Sequence, residues 1–249
     1  MALNKISDHG SLGTPEWHAT SMLDYENWIN KMSASARVPV FRGQRRNWPL
    51  LPRVSGNVPR GTILKNERRL LNEFKKKAPP CLQVVPTNDL DWLVVAQHHG
   101  LPTRLLDWTY NPLVALWFAF EKSNKEDSKP EVWMLLTTKE EHLPSIEDAR
   151  PFRGNRTKVF KPSFKIPRVK AQEGCFTLFK YIAKYHSGFV PLEKNVVLRK
   201  RLIRIRIANY ARKDILNSLQ KKGYTKDRLY ANIDAVAEHV KKKVLKQKP

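Results

Sequence analysis

The apolar positions of this chain switch repeatedly between helical and strand spacing, and the switches divide it into short elements. Residues 24–32, Asp24-Tyr25-Glu26-Asn27-Trp28-Ile29-Asn30-Lys31-Met32, carry apolar side chains at helical intervals and predict an amphipathic helix. Val38-Pro39-Val40-Phe41-Arg42-Gly43 predicts a short strand ended by a glycine turn. Two prolines between Trp48 and Arg53 break both patterns. A helix centred on residues 67–74 stops before Pro79-Pro80, and Asn88 is placed to cap another that runs through Trp92-Leu93-Val94-Val95-Ala96 to Gly100. Residues 103–109 predict a short strand. Asn111-Pro112 opens a helix whose run from Leu113 to Phe120 is almost wholly apolar, so it is expected to be buried. Strands follow at 131–138 and 174–179, separated by a long basic loop at 150–170. Residues 198–207 alternate basic and apolar side chains and predict a half-buried strand whose cationic face carries Arg199, Arg201, Arg204 and Arg206. Helices at 210–222 and 228–243, joined at Gly223, close the chain. The expected class is α+β, with a loose N-terminus (1–23), one domain (24–240) and a basic tail (241–249).

The chain has 249 residues, 41% of them hydrophobic and 10% aromatic, which suits one large domain or two small ones and excludes disorder as the main state. Cys81 and Cys175 are its only cysteines, so a disulfide scaffold and a four-cysteine zinc site are excluded. No apolar run approaches the roughly 18–20 residues of a membrane span, and the N-terminus lacks a secretory pattern. A soluble cytoplasmic protein with reduced thiols is expected.

Charge changes the picture. Lys and Arg number 46 against 23 Asp and Glu, a formal net charge of +23, and residues 150–249 hold 27 of the bases but only 6 of the acids. Such asymmetry attracts polyanions and points to a nucleic-acid-facing surface; a solubilising surface or an acidic protein partner would give the same numbers.

Two runs go beyond pattern: Phe41-Arg42-Gly43-Gln44, and Ala96-Gln97-His98-His99-Gly100-Leu101-Pro102-Thr103-Arg104-Leu105-Leu106-Asp107-Trp108-Thr109 continued by Asn111-Pro112-Leu113-Val114-Ala115-Leu116-Trp117-Phe118-Ala119. Together they closely resemble the FRG domain, a family of bacterial and phage proteins. Arg168-Val169-Lys170-Ala171-Gln172-Glu173-Gly174-Cys175-Phe176-Thr177 is similar to that family's third block. A second resemblance is to ADP-ribosyltransferases of the Arg-Ser-Glu type. Arg42 stands in the place of the first-strand arginine. Asp107-Trp108-Thr109 stands where a Ser-x-Ser/Thr strand leads into a helix, and Gln172-Glu173 stands where the later strand carries its glutamate. Asp107 replaces the first serine, and Glu173 follows Gln172 directly.

The second resemblance implies a split mixed sheet flanked by helices, with NAD as substrate. It implies Glu173 as the carboxylate favouring an oxocarbenium-like ribose and Arg42 as a fork on the pyrophosphate, with Gly43 permitting close approach. Thr109 would orient Glu173 or contact the ribose, and Trp108 or Phe41 would stack on the nicotinamide. Gln44, Gln97, His99, Arg104, Asp107 and Gln172 complete the expected NAD contacts. The implied activity is ADP-ribosyl transfer to a nucleic acid or a nucleic-acid-bound target, which by analogy fits a toxin or phage–host conflict role.

Plainer readings stand beside these. Arg42 and Asp107 can form a structural ion pair, Glu173 can be a turn residue, and Trp108 and Trp117 can be core. Gln97 can satisfy buried backbone groups, and Cys175 can be a small buried hydrophobe. His98 and His99 project about 100° apart on a helix, which does not suit one shared ion, and no metal is expected. The rival functions are a non-catalytic nucleic-acid-binding protein and a nuclease using His98 or His99 with Asp107.

Overall fold

The computed structural model describes residues 14–33, 37–57, 62–121, 128–146, 149–185, 187–231 and 237. Seven strands form one sheet: β1 (Glu16–Ala19), β2 (Val38–Gln44), β3 (Leu105–Thr109), β4 (Glu131–Thr137), β5 (Lys158–Phe160), β6 (Gly174–Leu178) and β7 (Leu202–Ile207). The helices are α1 (Met22–Ser33), α2 (Val54–Asn57), α3 (Ile63–Lys77), α4 (Asp89–His98), α5 (Pro112–Phe120), α6 (Pro167–Ala171), α7 (Arg212–Lys221) and α8 (Lys226–Tyr230). The α+β class holds. Among the described residues, no helix is long and apolar enough to cross a membrane.

The sheet order is β1-β7-β4-β2-β3-β6-β5, with every neighbouring pair antiparallel except β1 and β7. The ladder is uneven. β2 pairs with β4 along its whole length, from Val38↔Thr137 to Gln44↔Glu131. β3 pairs with β6 from Leu105↔Leu178 to Thr109↔Gly174. Between β2 and β3 there is a single pair, Phe41↔Thr109. The sheet is thus two ladders that touch at one residue pair, beside the Phe-Arg-Gly run.

Alternation along β2, β4 and β7 sends Phe41, Val132, Met134, Ile203 and Ile205 to one face, where Trp28 of α1, Ala115 and Leu116 of α5 and Ile215 of α7 cover them. Val40, Trp133, Leu135, Leu106, Trp108 and Cys175 form a second cluster with Leu50, Val54 and Phe189. A third packs Leu71, Leu90, Leu93 and Val94 of α3 and α4 on Leu105, Phe176 and Leu178. Gly43 is required: a Cβ there would lie 1.8 Å from the Ala115 oxygen and 2.6 Å from the Ala119 nitrogen, so α5 rests directly on the backbone of β2.

Local start signals act as expected. The Asn88 side chain accepts from Asp91 N at 2.9 Å to open α4. Asn111 Oδ1 accepts from Leu113 N at 2.9 Å and Val114 N at 3.3 Å to open α5, with Pro112 in its first turn. Gly100, at φ +92°, ends the turn after α4.

Several boundaries differ from the sequence reading. Residues 16–19, inside the segment expected to be loose, form β1, because Glu16 pairs with Arg204 and Arg206 of the neighbouring strand. The expected basic loop at 150–170 contains β5 and α6, both too short to show a period. The expected strand at 198–207 begins as a 3-10 turn over Leu198–Arg201. The first of the two closing helices begins as a 3-10 turn at Asn209–Ala211, and α8 ends at Tyr230, capped by Ala231, whose φ of +43° is left-handed. Residues 1–13 and the basic tail lie outside the described residues, as does most of the expected final helix.

Candidate functional site

Where β2 and β3 part, Arg42 occupies the gap. Continuing the register would set Arg42 against Trp108 and Gly43 against Asp107, but those pairs do not form. Instead Arg42 Nη1 donates to the Asp107 carbonyl oxygen at 2.8 Å and lies 3.8 Å from Asp107 Oδ2, while its Nε donates to Gln44 Oε1 at 3.3 Å. The Arg42 side chain is 24% exposed. Burial pushes its pKa down and Asp107 pulls it back up, leaving a guanidinium charged at neutral pH.

Asp107 is 64% exposed, and its carboxylate is oriented from behind. Oδ1 accepts from Gln97 Nε2 at 2.9 Å. Gln97 Oε1 in turn accepts from the Thr103 hydroxyl, so both ends of that amide are engaged.

These residues line a cleft of about 500 Å³. One wall is Val114, Ala115 and Phe118 of α5. The opposite wall is Val94, Gln97 and His98 from α4, with Arg168, Val169 and Gln172 at α6. Arg45 and Trp48 follow β2, Arg53 precedes α2, and the buried Phe41, Cys175 and Phe176 back the lining. Four arginines (Arg42, Arg45, Arg53, Arg168) therefore share one cleft with two carboxylates, Asp107 and Glu121. Arg168 stacks 4.4 Å from the Tyr230 ring, and the Tyr230 hydroxyl donates to Glu121, which ties α6, α8 and the end of α5 together. Burial pushes the Tyr230 hydroxyl pKa up, and the Glu121 bond and charge add to that. Burial also pushes the His98 imidazole below its ordinary value of 6.5, helped by His99 and Arg168 and opposed by Asp107.

The residues expected from sequence fall into three groups. Arg42, Gly43, Gln44, Gln97, Asp107, Trp108, Thr109 and Gln172 all meet the cleft. Within this group four side chains are committed elsewhere, Gln172 among them, whose Nε2 donates to the Leu229 carbonyl at 2.9 Å. Gln44 Nε2 donates to the Trp48 carbonyl at 2.9 Å and to Glu131 Oε1 at 3.2 Å, pinning the Arg45–Trp48 turn. Trp108 offers no ring face: its indole packs in the second core cluster and donates to Thr177 Oγ1 at 3.2 Å. The Thr109 hydroxyl donates to the Gln172 carbonyl at 2.6 Å and accepts from Asn111 N at 2.9 Å, so it frames the β3–α5 corner instead of orienting Glu173.

A second group lies elsewhere. Glu173 sits outside the cleft wall, in an exposed turn at φ +48°, where Oε1 accepts from Asn111 Nδ2 at 2.7 Å. His98 and His99 are both exposed, but His99 lies outside the wall, leaving His98 as the histidine of the cleft. Arg104 is a core residue. At 1% exposure it forks onto Glu67, also 1% exposed, with Nη2 to Oε2 at 2.6 Å, and donates through Nη1 to the Pro151 carbonyl at 2.8 Å. Phe152 covers its guanidinium at 4.6 Å.

The third group is the basic strand. Arg199 and Arg201 precede β7. Arg201 pairs with Glu141; Arg204 pairs with Glu131, Nε to Oε2 at 2.8 Å, and with Glu16; Arg206 pairs with Glu16. Glu131, 1% exposed, thus takes Arg204 as its counter-charge, and the face expected to be cationic is largely neutralised.

Sequence reasoning did not single out Arg45, Trp48, Arg53, Phe118, Glu121 and Arg168 as site residues. The signal for Trp48 and Arg45 was their position just after Phe-Arg-Gly-Gln. The signal for Arg168 was its place at the head of the third block.

No curated protein and no solved structure gives a significant match to the chain. Residues 37–128 match the FRG domain family. That span contains β2, α4, β3 and α5, which supply Arg42, Gln97, Asp107 and the α5 wall, whereas α6, β6 and α8 lie beyond it. The Phe-Arg-Gly strand, the Leu-Asp-Trp-Thr strand and the helix packed between them over the cleft are thus the parts by which this chain carries an FRG domain across residues 37–128.

Proposed function

We propose that the cleft at the split of the sheet binds NAD. On this reading the chain is an ADP-ribosyltransferase-like enzyme that transfers ADP-ribose to a nucleic acid or a nucleic-acid-bound target. The observation that carries the reading is Arg42: a mostly buried guanidinium held at the parting of β2 and β3, on the floor of a cleft with three further arginines. A fixed guanidinium fork suits a pyrophosphate, and water exclusion strengthens the contact. A volume of about 500 Å³ is of the size that takes a small molecule, and Trp48 and Phe118 offer ring-compatible surface beside the charges, whereas Phe41 is buried in the core. The order Arg42, then the Asp107–Thr109 strand leading into α5, agrees with the resemblance noted in the sequence. The basic excess of residues 150–249 favours a polyanionic acceptor.

The chemistry is glycosyl transfer. The bond between ribose C1′ and the nicotinamide nitrogen breaks with its electron pair leaving on nicotinamide, and the positive charge developing on the ribose needs a nearby anion. The test is incubation with labelled NAD and DNA, RNA or cell lysate, reading nicotinamide release and label transfer. Release by the wild-type chain that is lost in R42A is the expected result. Absence of release with every acceptor, together with no NAD affinity, overturns the reading.

A further inference from the structure

We propose that Asp107 supplies the anion facing the reacting ribose and that His98 takes the proton of the incoming acceptor, with Glu173 a turn residue. This rests on reading the cleft as the NAD site. The argument is one of placement. Two carboxylates line the cleft, Asp107 and Glu121. Glu121 is bound by the Tyr230 hydroxyl at the rim. Asp107 lines the cleft beside Arg42, its Oδ1 fixed by Gln97 at 2.9 Å and its Oδ2 3.8 Å from Arg42, with most of the side chain exposed. A carboxylate so held needs little reorganisation as a positive charge develops nearby. Glu173 is exposed as well but lies in a turn outside the cleft lining, with a bond from Asn111 Nδ2, which also donates to the Tyr224 hydroxyl at 3.1 Å. Glu173 ties the α6–β6 turn to the β3–α5 corner, and Asn111 links that corner to Tyr224.

His98 lies on the wall that carries Gln97. Its ring meets His99 edge to face at 5.1 Å, and Arg168 and Asp107 are the other charged groups facing it. The ring is exposed to solvent, and partial desolvation with the nearby Arg168 lowers its pKa, which favours the neutral form that accepts a proton. The step balances. The C1′–N bond electrons leave with nicotinamide, an acceptor oxygen or nitrogen lone pair forms the new bond to C1′, and the acceptor's proton passes to a His98 ring nitrogen. The acceptor class is therefore a nucleophile that carries a removable proton.

The experiment compares wild type, D107N, D107E, E173Q and H98Q for nicotinamide release and label transfer, with ADP-ribose affinity and thermal unfolding measured alongside. D107N is expected to slow release by about 10²-fold or more while ADP-ribose affinity stays within about threefold. D107E, which keeps the charge but displaces it, also loses at least about tenfold, so the result does not depend on one variant folding well. E173Q loses less than about tenfold. H98Q loses transfer and the acidic limb of the pH–rate profile. Release by wild type that survives in D107N, or that fails in E173Q with unfolding unchanged, overturns this assignment and leaves the NAD reading standing. A wild-type chain that binds neither NAD nor ADP-ribose overturns the NAD reading itself.

Discussion

Arg42 Nη1 donates to the Asp107 carbonyl oxygen at 2.8 Å, so a side chain bridges the gap that the β2–β3 ladder leaves beyond Phe41↔Thr109. The contact joins the two ladders and also opens them, because a guanidinium is wider than a backbone amide pair. Structure and site therefore meet in one residue, and exchanges at Arg42 should separate the two roles. R42K, which keeps a donor but loses the fork, is expected to remain folded and to bind ADP-ribose about 10–100-fold more weakly. R42A should in addition destabilise the chain by about 1.5–3 kcal/mol, the usual range for a lost charged hydrogen bond. Calorimetric titration and denaturant unfolding of the two variants check this. Equal affinity in R42K and wild type would remove Arg42 from the binding role.

Gly43 allows α5 to lie on β2, with the Ala115 oxygen 1.8 Å from where a Cβ would be. Both parties are backbone, so neither can rotate away. G43A should destabilise by about 3 kcal/mol or more and widen the cleft. A denaturant midpoint unchanged from wild type would contradict the close packing.

The Arg104–Glu67 pair is buried, forked and covered by Phe152. Removing one partner leaves an uncompensated charge, so E67Q and R104M should each lose about 3–5 kcal/mol. The double variant E67Q/R104M should lose less than the sum of the single losses. Its glutamine can still accept from Arg104-position N, which bonds Glu67 Oε1 at 2.9 Å in the wild type. A double-mutant cycle in urea measures the difference. Full NAD turnover in a folded E67Q/R104M chain would agree with a structural role.

Asn111 serves two structures through two atoms: Oδ1 caps α5 and Nδ2 holds Glu173 and Tyr224. N111A should lose about 1–2 kcal/mol. N111S, whose hydroxyl can still cap α5 but which lacks the Nδ2 group that reaches Glu173, should lose roughly half of that. Thermal unfolding of the pair tests whether cap and tether act separately. Identical losses would show that the cap contributes nothing.

Stability should fall as the chain is acidified below about pH 6.5. Burial lowers the folded pKa of both His98 and His142, and Lys158 lowers His142 further. The unfolded state then binds more protons in the window below about 6.5, so stability is complete above it and is lost as pH falls through the folded values. Glu193, raised by burial, has the opposite slope at lower pH. The measurement is therefore the difference between wild type and H142Q across pH 5–7.5, expected to shrink on acidification. A difference that does not vary with pH would exclude His142.

The elements that could be seen in the sequence are those whose signal is local. Asn88, Asn111 with Pro112, and Gly100 mark helix ends because their chemistry acts within four residues, and all three act as expected. The apolar run of α5 and the alternation of β7 show burial because they are long enough to have a period. β1, β5 and α6 have three to five residues each, and long-range pairing and packing hold them, so no window of sequence contains their cause.

By itself, the sequence determined the α+β class, the positions of the helix caps, the buried character of α5, and the two runs that mark the FRG domain. It also placed Arg42, Gln97 and Asp107 among the residues of interest. Only the tertiary structure decided which of the arginines face a cleft and which are consumed. Arg104, Arg204 and Arg206 read the same as Arg42 in sequence. Whether a guanidinium meets a carboxylate such as Glu67, Glu131 or Glu16, or stands at a gap between strands, depends on partners 37 to 190 positions away. The same holds for Glu173, whose exposed, left-handed turn and Asn111 tether arise from how α6, β6 and α5 meet. Charge and hydrogen-bonding capacity are properties of a residue, but their availability to a ligand is a property of the packing.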